Sequence, residues 1–314
     1  MTLFRTVLHP TDFSSCAEAA RPLAFEFARH GDTLHLLYVD HLFGSAAHAG
    51  DTRQRLADLR ADAPVPVEIA VTRDLAPAPA ILRYTENHDV DLIVLGTHGR
   101  RGLSRVLLGS TAREVIQLAP CPVLTVRPGA DEAALPQLRG GSILVAVDFS
   151  DSAREALRQA VRLAEAFDAR VDLVHVVEDL FHPVGVGYTL RSLHEVEPDI
   201  EERMDEALRV FCDEVAPDSP RFGQREVRTG APARAIAEAA EQFGSRLVVM
   251  GTKGLRGFDH LVMGSVAEAV ARTAPCPVLT VKAADAMTAA REAIQEARET
   301  PTRDADRSET LLAL

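Results

Sequence analysis

Short apolar runs alternate along this chain with longer stretches in which apolar residues recur at helical spacing. Residues 4–9 form a run fit for a buried strand, and residues 14–30 carry a helical pattern with Ser14 placed to cap it. A strand over 33–40, a helix over 51–60 and a strand over 65–71 follow. Pro77 opens the next helix, where its missing N–H costs nothing. A strand over 91–95, a glycine-rich loop, a helix over 111–118 and a strand over 121–126 complete the series. The order returns through a strand over 143–148, a helix over 150–167, a strand over 170–177 and a helix over 200–215, ending in a strand over 278–281. Alternation of this kind predicts the α/β class, with doubly wound, mainly parallel sheets flanked by helices.

The return is a repeat of the residues themselves. Pro10-Thr11-Asp12-Phe13-Ser14 comes back as Ala146-Val147-Asp148-Phe149-Ser150, an offset of 136. Leu36-Leu37-Tyr38-Val39 comes back as Leu173-Val174-His175-Val176, at 137. From Pro77 onward the offset is 155: Gly96-Thr97-His98-Gly99 matches Gly251-Thr252-Lys253-Gly254, Gly109-Ser110 matches Gly264-Ser265, and Pro120-Cys121-Pro122 matches Pro275-Cys276-Pro277. The jump is an 18-residue insertion in the second copy, around 180–199. Its His182-Pro183, Gly185 and Gly187 read as a loop, either an ordinary surface excursion or one near the second copy's site where ligands or partners are met. The chain therefore divides into a first domain (1–128), a linker (129–140), a second domain (141–282) and a helical or frayed tail (283–314). The apolar last strand of each copy is an edge, and the two edges are expected to pair within the chain. A homodimer of chains is a further possibility that the sequence leaves open.

Charge narrows the partners. A net charge of -12 speaks against nucleic acid, which needs a basic face. No apolar run reaches the ~20 residues of a membrane span. The first residues lack a signal-peptide pattern, so a cytoplasmic protein is expected. Cys16, Cys121, Cys212 and Cys276 lack the close pairing of a redox or metal motif and read as small buried hydrophobes; no metal site is expected.

The chemistry gathers in the two glycine-rich segments, Gly-x-x-Gly followed after nine residues by Gly-Ser at the mouth of a helix. In open α/β sheets such loops lie beyond the carboxyl ends of the strands, where ligands bind. Glycines permit positive φ and close approach to phosphate, and the helix opening at Ser110 offers free N–H groups. The plain alternative is that the glycines are turns, with Ser110 and Ser265 only N-caps. Ser265-Val266-Ala267-Glu268 and Thr111-Ala112-Arg113-Glu114 fit capping boxes. Asp12 at a strand end suits an adenine amine or a ribose hydroxyl, or a cap on the next helix. Around the first loop stand His98, Arg100, Arg101 and Arg105 without an acid between Gly96 and Ser110; the second has Lys253, Arg256 and His260 but also Asp259. Copy one thus looks more hospitable to anions, although Leu75 replaces Gly230 and is expected to reshape the turn before its third helix.

Gly-x-x-Gly-x9-Gly-Ser, preceded by Pro-Thr-Asp-x-Ser and followed by Ala-Pro-Cys-Pro-Val-Leu-x-Val, resembles the universal stress protein family over residues 1–128 and 141–282. The resemblance implies a Rossmann-like, five-stranded sheet of the adenine nucleotide alpha hydrolase kind in each copy, and ATP as the cofactor, with or without Mg2+. By position it implies that Asp12 and Val39 contact adenine, and that Gly96, His98, Gly99, Arg100, Gly109, Ser110 and Thr111 hold ribose and phosphates. In the second copy the matching residues are Asp148, Val176, Gly251, Lys253, Gly254, Gly264, Ser265 and Val266.

Catalysis finds little support in the residues. The first copy contains no lysine, and Lys253 and Lys282, the only two in the chain, lie outside a Gly-Lys-Ser/Thr motif. No catalytic residue is assigned, and slow ATP hydrolysis is the most that is expected. The leading expectation is an ATP-binding regulatory module of stress adaptation. The alternatives are a nucleotide-free interaction scaffold of the same fold and a flavin or electron-transfer protein.

Overall fold

The computed structural model describes residues 3–41, 49–61, 63, 65–97, 108–127, 138–178, 182–184, 189–191, 199–217, 219–253 and 263–299. The first half runs β1 (Thr6–Pro10), α1 (Ser15–Ala28), β2 (Thr33–His41), α2 (Ala49–Ala61), β3 (Val67–Asp74), α3 (Pro77–Asn87), β4 (Leu92–Gly96), α4 (Ser110–Leu118) and β5 (Val123–Val126). The second half opens with β6 (Ser142–Val147), α5 (Asp151–Phe167) and β7 (Arg170–Val177). It continues with β8 (His182–Val184), β9 (Thr189–Arg191), α6 (Ile200–Val215), β10 (Phe222–Thr229) and α7 (Pro232–Gln242). It closes with β11 (Ser245–Gly251), α8 (Ser265–Thr273), β12 (Val278–Val281) and α9 (Ala284–Glu299).

Each half is a parallel sheet, ordered β3-β2-β1-β4-β5 and β10-β7-β6-β11-β12. Val-Leu-Thr-Val, the sequence of both β5 and β12, is buried at all four positions, as a strand covered on both faces requires. The edge strand β3 alternates instead, with Val71 exposed. β5 and β12 then pair antiparallel, joining the halves into one sheet of ten strands. Leu124 stands opposite Leu279 on this seam, and the Thr125 and Thr280 hydroxyls donate reciprocally to Val278 O (3.2 Å) and Val123 O (3.1 Å). Leu124 and Leu279 are 155 apart, so a pseudo-two-fold passes between equivalent residues. The last strands thus pair inside one chain.

The pseudo-two-fold keeps each face of the sheet on one side. One core layer draws on α1, α2, α5 and α6, where Phe27 meets Phe167 edge to face at 5.5 Å. The other draws on α3, α4, α7, α8 and α9. Cations bind the halves reciprocally: Arg127 Nη1 donates to Arg272 O (2.9 Å), and Lys282 Nζ donates to Ala119 O (2.7 Å). The antiparallel seam also points the strands' carboxyl ends toward opposite edges of the sheet.

One expectation changes. The inserted segment, read as loop, contributes a two-stranded antiparallel hairpin of β8 and β9; its Gly185 and Gly187 lie outside the described residues. The expected helix of the tail, α9, packs against α3 of the first half and buries Ala286, Ala290 and Ile294, while residues 300–314 lie outside the description. Most of the expected linker, residues 129–137, also lies outside it. Among the described residues no helix is long and apolar enough to cross a membrane.

Candidate functional site

In each half the switch in strand order lies between the first strand and the fourth: β1 beside β4, and β6 beside β11. Helices leave these neighbours toward opposite faces, which opens a crevice at their carboxyl ends. Asp12 follows β1 there, and Asp148 follows β6. Asp12 Oδ1 accepts from Ser14 N–H (3.0 Å), and Asp148 Oδ1 accepts from Ser150 N–H (3.1 Å) and the Ser150 hydroxyl (2.6 Å). The helix caps are the serines themselves, Ser14 over Ala17 N–H (3.3 Å) and Ser150 over Ala153 N–H (3.2 Å). The aspartates therefore brace the turn rather than cap the helix.

Between aspartate and serine the chain takes a conformation that the sequence does not announce. Phe13 and Phe149 have φ of 58° and 65°, the left-handed region that a bulky side chain seldom occupies. Their rings explain why it is held. Phe13 stacks on Tyr38 (5.4 Å between centroids), and the Arg55 guanidinium lies over the Phe13 ring at 3.9 Å. Phe149 packs against His175 (4.7 Å) and edge-on to Phe211 (5.6 Å). His175 Nδ1 lies 2.7 Å from Val147 O, and burial pulls its pKa below the usual histidine value. Val39 and Val176, one residue beyond the stacked Tyr38 and His175, are half-buried against the opposite core layer.

At the other wall, the first glycine of each loop is dictated by packing. A Cβ on Gly96 would lie 2.5 Å from the Cys16 carbonyl carbon, and one on Gly251 would lie 2.6 Å from Ser152 Cβ. These glycines let the fourth strand touch the first turn of α1 or α5. Both loops are closed at the base by the same bond: Gly109 N–H to Thr97 O (2.7 Å) and Gly264 N–H to Thr252 O (2.8 Å). His98, Gly99 and Arg100, with Arg101 and Arg105, lie outside the described residues, as do Gly254, Arg256, Asp259 and His260.

The capping-box expectation fails. Gly109 and Gly264 are the N-caps of α4 and α8, at φ -62° and -65°, and neither helix has a side-chain cap. Ser110 and Ser265 are instead the first helical residues and are exposed; Thr111 and Val266 follow them in the first turn. Positive φ is not what these glycines supply. Among the described residues no side chain takes up the first N–H groups of either helix, the groups that have no partner within the helix. The helices differ in first-turn charge: α8 carries Glu268 and α4 has no acid. The expected reshaping before the third helix is real, since Gly230 sits at φ 130° while Leu75 is absent from the positive-φ positions. The cysteines are free and largely buried, and burial pushes the Cys121 and Cys276 thiols up to about 12.

The fold and these paired crevices define a duplicated, doubly wound α/β protein with a pinned loop and an uncapped helix start at each switch point. The universal stress protein family pattern matches residues 3–127 and again 141–282, and the chain belongs to that family. It is 36% identical to a universal stress protein of Methanocaldococcus jannaschii over 143 residues, 45% of this chain and 81% of that protein. It is 30% identical to one of Mycobacterium tuberculosis H37Rv over 209 residues, and this alignment spans 66% of each chain. Among solved structures, a universal stress protein from Archaeoglobus fulgidus superposes with TM-score 0.64 at 22% identity, covering 90% of this chain and 98% of that one. A protein of unknown function from Pseudomonas aeruginosa PAO1 gives 0.66 at 20% identity, covering 93% and 98%.

Proposed function

We propose that this protein is a cytoplasmic regulatory module of the stress response that binds ATP in both halves, residues 1–128 and 141–282, with little or no turnover. The observation that carries this reading is the repeated construction at the switch points. A loop pinned by one backbone bond ends in a glycine-capped helix whose free N–H groups suit phosphate oxygens. Asp12 with Val39, and Asp148 with Val176, would receive the adenine end. Gly96, His98, Gly99, Arg100, Gly109, Ser110 and Thr111, and in the second half Gly251, Lys253, Gly254, Gly264, Ser265 and Val266, would hold ribose and phosphates. Mg2+, where it accompanies ATP, is proposed only as the nucleotide's own counter-ion. A regulatory role is favoured because the first half has no lysine for the terminal phosphates.

The test is thermal melting of nucleotide-free protein with and without millimolar ATP and magnesium, followed by calorimetry because the chain has no Trp. At about a hundredfold over Kd, binding adds roughly 2.7 kcal/mol, and the midpoint should rise by about 5–10 °C, with no rise for GTP. Gly109→Asp and Gly264→Asp should each remove one binding event. Asp is a favoured N-cap and the glycine φ values of -62° and -65° suit it, but a Cβ on Gly264 would lie 3.1 Å from Thr252 O. The ligand-free midpoint of each variant is therefore compared with wild type before the loss is ascribed to the carboxylate repelling phosphate. An unchanged midpoint would overturn the ATP reading in favour of the nucleotide-free scaffold.

A further inference from the structure

Arg113 and Glu268 stand 155 residues apart, the offset that relates the two loops, so they hold equivalent places in the first turns of α4 and α8. Their side chains meet across the seam, Nη2 to Oε2, at 3.3 Å. A symmetric pair would set like charges against each other at this point; here a cation faces an acid. The two residues also act oppositely on their own helices. A first-turn acid competes with an incoming anion for the helix's positive end, and a cation there assists it. The far ends of both helices are held, α4 at Ala119 O by Lys282 and α8 at Arg272 O by Arg127. A charge arriving at either helix start is therefore answered by side chains rather than by sliding helices.

We infer that the Arg113–Glu268 pair is a charge link through which filling the first site weakens the second. The inference rests on the nucleotide-binding reading above. Arg113 has two alternative partners, Glu268 or a phosphate held at Ser110 and Thr111, positions that lie about 4.5 Å and about 3 Å back along its own helix axis. When the first site takes a polyanion, the guanidinium turns to it and Glu268 loses its counter-charge. The start of α8 then becomes less hospitable to a second nucleotide. By linkage, a nucleotide bound first at α8 weakens the α4 site by the same factor.

Titration calorimetry of the full chain with ATP tests this in four forms: wild type, Gly109→Leu, Glu268→Gln and the double variant. Gly109→Leu blocks the first site without adding a charge. In Gly109→Leu the second-site Kd should be about two- to fivefold tighter than the second event in wild type, the modest factor expected of an exposed pair. The gap should close in 0.5 M salt, where screening reaches only about 4 Å. Glu268→Gln should abolish the gap at low salt. A gap of unity in wild type, or one that survives Glu268→Gln, overturns the charge link while leaving the nucleotide reading intact. Failure of ATP to bind any form overturns both.

Discussion

His9 shows how differently the two halves treat one position. It is 1% exposed on β1 with Nδ1 2.9 Å from Val94 O, and burial lowers its pKa from 6.5 to about 4. The equivalent residue in the second half, 136 further on, is Val145. A histidine kept neutral by the fold contributes stability that is complete above the unfolded value of 6.5 and is lost as pH falls toward about 4. Relative to His9→Val, the wild-type chain should therefore lose roughly 3 kcal/mol across that window, read from denaturant midpoints at several pH values. A difference that does not change with pH would refute it. At this scale the sequence speaks unevenly. Ser14 declares itself as a cap because its oxygen reaches an N–H within its own helix. Phe13 and Phe149 do not, because their left-handed backbone is held by ring packing against residues far along the chain. Gly96 reads as a phosphate-loop glycine, whereas its neighbour is the Cys16 backbone, a contact visible only once α1 and β4 meet.

Helix α1 carries Pro22 in its interior, a place where proline removes a hydrogen bond and crowds the preceding turn. The second half has Arg158 at the equivalent position of α5. Pro22→Ala should therefore stabilise the chain by about 1–3 kcal/mol, seen as a higher Tm; a lower one would mean the ring makes packing of its own. Strands and helices were legible in the sequence wherever burial dictates the pattern. The runs at 91–95 and 278–281 fall within a residue or two of β4 and β12, because strands covered on both faces must be apolar throughout. The edge strand β3 extends to Asp74, past the expected end at 71, because its exposed residues carry no such pattern. The β8–β9 hairpin escaped notice because three-residue strands have no period to read. In the candidate site, the repeated glycines gave both crevices, but the identity of the helix caps depended on where α4 and α8 begin, a matter of one residue.

The seam that makes one sheet of two halves has Lys282 buried within it. Burial lowers this amine from 10.5 to about 8 despite its bond to Ala119 O. Its cost to the folded state is full below about 8 and fades as pH rises toward 10.5. The buried thiols run the other way, so the informative quantity is the difference from Lys282→Met. The wild type should gain roughly 3 kcal/mol on that variant between pH 8 and 10.5, and parallel curves would dismiss the effect. The same seam has a consequence in mass action. Two separate chains joined along such an edge come apart on dilution, and their folded state depends on how much protein is present. Here the partner strand lies on the same chain, and intramolecular pairing of this kind acts as an effective concentration on the order of millimolar. One molecule in a cell would be as completely assembled as ten thousand.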